Sequence, residues 1–430
     1  MLLHPLDGVV GEFVGDVALL RDTKAIDIQA VGVGQVGPLA LEADPVIKAF
    51  LRFIMFAAHV PLAEVQGVVG SASSLGDFVR NGHGKFLISI AGERSEAPGA
   101  VPFGLVSNNV GGTAIEVPVP GLNGASSGDM AGDYTQFSLS VKTALTDSFD
   151  LGLIIDQPFG ANVSYPTGTA YYAQGSVATL KTTALTAIAK YRLANNISFL
   201  GGLRYQTMQA AADIPFIPSS GYAVDSDTAA DFGYVVGVAY EKPEIALRVA
   251  LTYNSKITHD FTTVETSVLQ GYVPTETATP VVTPQSVNLE FQSGVAKDTL
   301  VFGSVRWVDW NNFEINPPLY PPATALVSYD SDTVTYSLGV GRRLSENWAA
   351  AITLGYEDPV GGFSSNLGPT DGKKSISLGG TYTRDNMKIS AGLSYVEIGD
   401  TATTLDGINT AANFTGNSAI AVGLKVGFTF

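Results

Sequence analysis

The sequence has no cysteine, little charge and no long apolar run. Without cysteine, disulfide bonds and thiolate metal sites are excluded. Charged residues make up only 15% of the 430 residues, well below the share that is usual in a soluble domain. No apolar run reaches the length of about 18 residues that a transmembrane helix needs. The net charge of −16 argues against nucleic-acid binding, which requires a basic stripe, and indicates acidic loops that face water.

The sequence does contain stretches in which large apolar residues alternate with small or polar ones. The last stretch, Ala419–Phe430, shows this alternation most clearly. Its even positions are large and apolar, and its odd positions are small or polar. A period of two places these sets on opposite faces of one strand, as in an outer-membrane barrel strand with an apolar outer face. A soluble sandwich strand is the other interpretation, although a terminal phenylalanine would be an unusual end for it. By the same parity we expect three basic residues to face the lumen: Arg204, Arg248 and Lys425.

From Phe103 onward, similar alternating runs follow one another, separated by clusters of Gly, Asp, Asn, Pro and Ser. They predict about fourteen strands, an even number that fits a closed antiparallel barrel. Short turns alternate with long connections near 208–229, 260–285, 311–331, 358–373 and 398–417, as in barrels with periplasmic turns and extracellular loops. Aromatic residues near the strand ends, among them Trp310, Trp348 and Tyr356, predict interfacial girdles.

Residues 1–102 lack this pattern, so we divide the chain into an atypical N-terminal segment, 1–102, and an outer-membrane β-barrel, 103–430. Two interpretations of the first segment stay open. It is either the product of a miscalled start or a frameshift, which the abrupt change near Pro102 favours, or a plug or extra domain.

Several stretches resemble the long-chain fatty acid outer-membrane transporter family (FadL, also called OMPP1 or TodX). The similarity runs from about Phe103 to the C-terminus, and its most specific part is a long stretch that ends in R-W-V-D-W. The stretches that carry it are D-Y-T-Q-F-S-L at 133–139, D-Q-P-F-G-A-N-V-S-Y-P at 156–166, L-T-Y-N-S-K-I-T-H-D-F at 251–261, 287–310 and 417–430.

The resemblance implies an all-β fold: a monomeric transmembrane antiparallel barrel of about 14 strands, inserted by the barrel assembly machinery. In outer-membrane barrels the C-terminal aromatic positions, here Phe428 and Phe430, form part of the assembly signal. The family also has an N-terminal hatch with an Asn-Pro-Ala segment, which residues 1–102 do not show. Its substrates leave sideways into lipid where the third strand kinks, and the matching ligand or lateral-exit candidates here are Pro158, Phe159, Gly160 and Ala161.

No catalytic, metal or cofactor site is predicted. The histidines are His4, His59, His83 and His259, and the last is interpreted as part of a polar loop pair with Asp260. Four aspartates, Asp129, Asp133, Asp150 and Asp156, match no calcium-loop spacing. No nucleophile with an adjacent base is apparent, so we expect no enzyme.

The function that this combination predicts is passive uptake of long-chain fatty acids or other hydrophobic compounds across the bacterial outer membrane. Release is expected to be lateral, into the outer-membrane lipid. The alternative is a general porin or a structural outer-membrane protein. A hydrophobic-compound transporter and a porin differ in the lumen. A porin needs a water-filled, charged constriction, whereas a lipid transporter needs an apolar pocket and an opening in the wall.

Overall fold

The computed structural model of the protein describes residues 98–117, 121–216, 221–321 and 325–429. The strands in this part of the chain are β1 Pro98–Asn109, β2 Gly112–Ala114, β3 Tyr134–Phe137, β4 Leu139–Thr146, β5 Phe149–Asp156, β6 Gly160–Ser164, β7 Val177–Arg192, β8 Ile197–Ile214, β9 Tyr222–Ser226, β10 Ala229–Lys242, β11 Leu247–Asn254, β12 Ile257–Thr266 and β13 Thr275–Thr283. They continue with β14 Ser286–Ala296, β15 Thr299–Val308, β16 Glu314–Ile315, β17 Val327–Ser328, β18 Thr333–Arg343, β19 Trp348–Glu357, β20 Phe363–Ser364, β21 Lys373–Arg384, β22 Met387–Ile398, β23 Thr401–Thr404, β24 Thr410–Phe414 and β25 Asn417–Thr429.

Three short 3₁₀ helices accompany the strands: Pro243–Ile245, Val268–Gln270 and Trp310–Asn312. Within the described ranges, none of the helices is long and apolar enough to cross a membrane.

The strands form a closed antiparallel ring. Pairing runs from β1 through β3–β4, β5–β6, β7, β8, β10, β11, β14, β15, β18, β19, β21 and β22 to β25. The ring closes where β25 pairs with β1, from Pro98–Thr429 to Asn109–Ser418. If β3–β4 and β5–β6 are each counted as one interrupted strand, the described residues form a ring of fourteen wall strands. Closure leaves the wall without free edges.

Each wall strand presents one face outward and one to the lumen. In β18, Tyr336, Leu338 and Val340 are exposed, whereas Ser337 and Gly339 between them are buried. In β25, Ile420, Val422 and Leu424 are exposed, and the intervening Ala419 and Ala421 are buried. The predicted alternation is therefore the observed one, and its apolar members form the outer surface of the ring.

Exposed aromatic residues border this apolar surface at two levels. Trp348, at the start of β19, packs against Tyr382 with ring centroids 5.0 Å apart. At the other end of β19, Tyr356 pairs with Tyr336. The two levels are eight residues apart, about 27 Å along the strand, which at the usual strand tilt of about 40° is a height of about 20 Å, comparable with the apolar band of a membrane barrel. Trp310, which was predicted to join these belts, is instead buried inside the outer core.

The two ends of the ring differ in their connections. At one end the wall strands are joined by short turns, such as those between β14 and β15 and between β21 and β22. At the other end the connections are long and carry the additional strands β2, β9, β12, β13, β16, β17, β20, β23 and β24. This asymmetry identifies the turn end as periplasmic and the loop end as extracellular.

The extracellular connections fold inward and fill the outer half of the ring with an apolar core. Loop residues such as Tyr171, Phe313 and Leu367 pack there against lumen-facing wall residues such as Leu180 and Met208. The outer half of the lumen is therefore occupied by side chains, in agreement with the tendency of extended apolar surface to be buried.

The first wall strand, β1, begins at Pro98, five residues before the barrel start predicted at Phe103. The rest of the predicted N-terminal segment, including His4, His59 and His83, lies outside the described residues. Its assignment as a separate segment stays a prediction.

Candidate functional site

The wall is interrupted between β3–β4 and β5–β6. Pairing of β4 with β5 extends to Leu139–Ile155, and a bridge at Ala131–Val163 resumes it. These two pairs are eight residues apart on both sides of the interruption, so they share one register. The intervening stretches form what we call the wall gap: residues 132–138 and 156–162.

Few bonds cross the wall gap, and most of them involve side chains. At its outer end, Gly132 N donates a backbone hydrogen bond to Asn162 O at 2.9 Å. The side-chain crossings in the described residues are Phe137 N to Gln157 Oε1 at 3.3 Å, Gln136 Nε2 to Gln157 O at 3.5 Å and Asn162 Nδ2 to Asp133 O at 3.4 Å. Side chains can change rotamer without unfolding the wall. The wall gap is therefore the place where neighbouring wall strands are held together least firmly.

The interrupted strand formed by β5 and β6 contains a bulge on the edge where it pairs with β7. β5 pairs with β7 through Asp156–Ala184, and β6 pairs with it through Gly160–Lys181. Three residues separate these pairs on the interrupted strand, but only two separate them on β7. One extra residue is therefore inserted, which bends a strand and shifts its faces by one position.

The bulge turns Phe159, Ala161 and Val163 toward the lumen. Phe159 packs edge-on against Trp310, with ring centroids 6.1 Å apart. In place of a ladder bond, Phe159 N donates to Thr182 Oγ1 at 2.9 Å. The ring of Phe159 thus lies on the lumenal side of the wall gap.

The other predicted exit residues also lie at this bulge. Pro158 stands between β5 and β6, where its missing N–H removes no ladder bond. Gly160 is buried and begins β6, and Ala161 is packed against the outer core. All four candidates, Pro158, Phe159, Gly160 and Ala161, are therefore together at the wall gap.

A pocket, which we call the gap pocket, lies directly beside this interruption. Gly132 and Tyr134 line it from one side of the gap, and Gly160 and Ala161 line it from the other. Its remaining wall comes from β1, from Ile398 and from residues 367–370 of an extracellular loop.

A second pocket, which we call the apolar pocket, lies among the lumenal faces of β7, β8, β9, β12 and β13. Leu180, Ala212, Val224, Phe261 and Val281 are among the strand residues that line it. Extracellular loops contribute the rest: Ile315, Pro317, Leu326, Val327 and Leu367. Its lining contains no charged side chain, a composition typical of a site for an apolar molecule.

A cluster of tyrosines supports the loops above these pockets. Tyr171 stacks on Tyr165 and Tyr172, with ring centroids 5.6 and 4.3 Å away. Burial raises the pKa of all three phenols, which therefore remain neutral. Tyr172 donates its hydroxyl proton to Asn366 Oδ1 at 2.5 Å, which ties the cluster to the loop that carries Leu367.

Arg204, one of the predicted lumenal cations, lies in β8 on the same face as the buried Gln206. Its Nε donates to Thr186 Oγ1 at 2.9 Å, and its Nη2 lies 3.7 Å from Asp156 Oδ2. Arg306, on the opposite side of the ring, also acts electrostatically on Asp156. Below the apolar core, the lumen is therefore charged.

Arg248, the second predicted cation, belongs to an ion-pair network nearer the periplasmic end. Its guanidinium lies 3.5 Å from Glu241 and 3.4 Å from Glu290, and Glu241 also pairs with Lys190 at 3.0 Å. A second network joins Asp150 to two cations, Lys142 at 3.0 Å and Arg192 at 2.5 Å. The charges of both networks are paired within the wall.

The third predicted cation, Lys425, is half-buried and shares its face of β25 with the small residues Gly423 and Gly427. Phe428, predicted as part of the assembly signal, lies in β25 opposite Gly99 and Met387. Phe430, the other residue of that signal, lies outside the described residues.

The interpretation of His259 as part of a polar loop pair was wrong. His259 is fully buried in β12, and its Nε2 lies 3.3 Å from Gln206 O. The region that was predicted as a long loop near 260–285 contains the β12–β13 hairpin, whose inner face covers the lumen.

Asp129 and Asp133 anchor the extracellular end of β1. Asp129 accepts a hydrogen bond from Val110 N, and Asp133 accepts one from Asn108 N, both at 3.0 Å. In the part of the chain that the structure describes, no group of His, Cys, Asp and Glu has the geometry of a metal site.

The pocket residues Phe261 and Leu367 were not identified from the sequence. Phe261 lies in an alternating run that a hairpin prediction would have found, because Ile257, His259, Phe261 and Thr263 occupy every second position. Leu367 lies in a loop of Gly, Pro, Ser and Asn, which carries no periodic signal.

The closed ring, its apolar outer surface and its asymmetric ends define an outer-membrane β-barrel. The family model of outer membrane transport proteins, described as OMPP1/FadL/TodX, matches residues 107–430, and the chain belongs to this family. A search of curated proteins found no match.

The solved structures with similar folds include a FadL homologue and two toluene transporters. A FadL homologue of Pseudomonas aeruginosa has a TM-score of 0.62 at 12% identity, over 78% of this chain and 90% of its own. The toluene transporter TodX of Pseudomonas putida has a TM-score of 0.56 at 11% identity, over 79% and 90%. The toluene transporter TbuX of Ralstonia pickettii has a TM-score of 0.55 at 13% identity, over 79% and 90%. At these identities the similarity shows the shared barrel fold.

Proposed function

We propose that this protein carries hydrophobic compounds across the outer membrane and releases them sideways into the bilayer through the wall gap. The observation that carries the proposal is the position of an uncharged, apolar pocket one strand away from an interruption of the wall. The toluene transporters TodX and TbuX share the fold, which agrees with this class of substrate.

The lateral route follows from the free energy of an apolar solute. Each buried CH₂ group favours an apolar environment by about 0.8 kcal/mol. A path along the axis would lead from the apolar core past Arg204, Asp156 and the periplasmic ion pairs, whereas a lateral path leads directly from the pocket into lipid.

The substrate class that fits the pocket best is uncharged and apolar, such as a monoaromatic hydrocarbon. A long-chain fatty acid could place its chain there, but its carboxylate would find no cationic side chain in the lining. The alternative of a general porin requires an open aqueous path. The inward-folded loops of the outer half argue against such a path.

The test uses cells that lack their own hydrophobic-compound transporter, and measures initial uptake of labelled toluene, labelled oleate and labelled glucose. Because the native chain has no cysteine, the double variant Gln136→Cys/Gln157→Cys can form only the disulfide across the wall gap. We expect oxidation of this variant to block uptake of the hydrophobic probes and a reductant to restore it.

The matched control is Ser304→Cys/Ser337→Cys, whose parent hydroxyls are 2.9 Å apart on neighbouring strands of the intact wall. Its oxidation should leave uptake unchanged. Normal uptake by the gap variant, with its disulfide verified by mass spectrometry, would contradict lateral release. Uptake of glucose as fast as that of toluene would favour the porin.

A further inference from the structure

The apolar pocket and the gap pocket share one lining side chain. Leu367 is the one residue that lines both of them in the described part of the chain. It is buried, and it lies in the connection between β20 and β21. The strands on either side of it are adjacent, because Ala161 of the gap pocket pairs with Leu180 of the apolar pocket.

Hydrogen bonds hold the backbone on both sides of Leu367, and on the C-terminal side Gly368 N donates to Ser365 O at 3.0 Å. Asn366 O accepts from Tyr165 Oη at 2.5 Å, and Asn366 Nδ2 donates to Thr404 O at 3.2 Å. Leu367 N donates to Ser365 Oγ at 3.1 Å. The loop therefore presents the Leu367 side chain at a fixed place, and that side chain itself makes no polar bond.

We propose that Leu367 is the partition between the site that retains the hydrophobic compound and the opening through which it leaves, and that its bulk sets the rate of release. This inference rests on the proposed function and names the residue that controls its last step.

The physical argument concerns which atoms must move. Rotation of the Leu367 side chain breaks no hydrogen bond, whereas movement of the loop would have to break several. A leucine side chain makes only dispersion contacts, each worth about 0.1–0.2 kcal/mol, so a passing ligand can replace those contacts with its own. Release then requires one leucine to rotate while the Asn366 bonds stay in place.

Two substitutions change the partition in opposite directions. Leu367→Trp should fill the connection, lower uptake at least about tenfold and slow dissociation of the bound probe at least about fivefold. Leu367→Ala should open the connection and raise the dissociation rate at least about fivefold. The matched control is Leu326→Trp, because Leu326 lines the apolar pocket alone and its enlargement should weaken binding.

The experiment uses the full chain and two radiolabelled probes, toluene and oleate. Equilibrium binding and the dissociation rate are measured on purified barrel immobilised on resin in detergent, and initial uptake is measured in cells. Assembly of each variant is checked by its heat-modifiable migration on a gel.

The outcomes separate the partition from the proposed function. Absence of uptake by the wild-type protein would reject the proposed function itself. Wild-type uptake together with unchanged uptake by assembled Leu367→Trp, or dissociation from it that is as fast as from the wild type, would reject the partition. If Leu367→Trp does not assemble, an unchanged dissociation rate for Leu367→Ala rejects it.

Discussion

Ala161 and Leu180 face each other across the ladder between β6 and β7, yet each lines a different pocket. Neighbouring strands are only about 4.8 Å apart, so a compound in the apolar pocket lies one strand from the wall gap. The pairing thus places the pocket that would retain the compound next to the gap that would release it. Substitutions in the two pockets should therefore affect retention and release separately.

The first prediction concerns the wall gap. Gly160→Trp should place a large ring at the outer side of the wall gap, beside the gap pocket that Gly160 lines, and lower uptake of labelled toluene at least about tenfold, with assembly unchanged. Gly380→Trp is the matched control, because a side chain at Gly380 meets open space on the outer surface. Equal uptake by the two assembled variants would mean that the ligand does not pass Gly160.

The second prediction concerns the two faces of β19. Ile352→Arg should place a charge in the lipid and lower the free energy of unfolding by about 2–4 kcal/mol near the midplane. Ala351→Arg is the control, because its side chain faces the lumen between Gly341 and Gly379. Urea unfolding in lipid vesicles measures the difference. Equal losses for both variants would contradict the assignment of the faces.

The third prediction concerns the buried ion pair between Glu357 and Lys373, whose charged atoms are 3.2 Å apart. Lys373→Met leaves Glu357 buried without a cation and should lower the free energy of unfolding by about 3–5 kcal/mol. The neighbouring exposed pair offers the control, since Lys374→Met should cost at most about 1 kcal/mol. The double variant Glu357→Gln/Lys373→Met should recover much of the loss, and no recovery would show that the charge is not the cause.

The fourth prediction concerns pH and the extracellular turn at Asp406. Hydrogen bonds from Asn409 N and Ile408 N to its carboxylate hold the pKa of Asp406 well below its usual range. A lowered pKa in the folded state stabilises the turn above the ordinary value of about 3.9 and ceases to do so only as the pH falls through the lowered value.

Hydrogen exchange measures this turn directly. Protection of the Ile408 and Asn409 amides, corrected for intrinsic rates, should persist from neutral pH to about pH 4 and decline only below it. Asp406→Ala should abolish that protection at every pH. Protection that declines already near pH 5 would contradict the lowered pKa.

The wall could be predicted from the sequence because its signal is local. Alternation in stretches such as Ala419–Phe430 depends only on the residues of one strand. The kink was also predictable, since Pro158 and Gly160 disfavour regular pairing at one place. Its partner stretch, 132–138, was not, because register between strands depends on contacts distant in sequence.

The interior was harder to predict than the wall. Trp310 was assigned to the membrane interface and His259 to a loop. Aromatic and polar residues near strand ends are found in such places as well as in a buried interior, where both residues in fact lie. Their burial results from extracellular loops that fold back into the ring, which leaves no periodic pattern. Leu367 is the extreme case, since its importance arises only from the two cavities that it lines.

The common register on both sides of the wall gap has a mechanical consequence. Leu139–Ile155 and Ala131–Val163 are separated by equal lengths of chain, so the two edges match residue for residue. The bulge, however, lies on one edge only: β3 and β4 keep one register with β1, whereas the extra residue between β5 and β6 shifts the faces of their strand. A regular ladder across the gap would pair residues that face opposite sides of the wall, so the two edges lie side by side at matched length without closing into one.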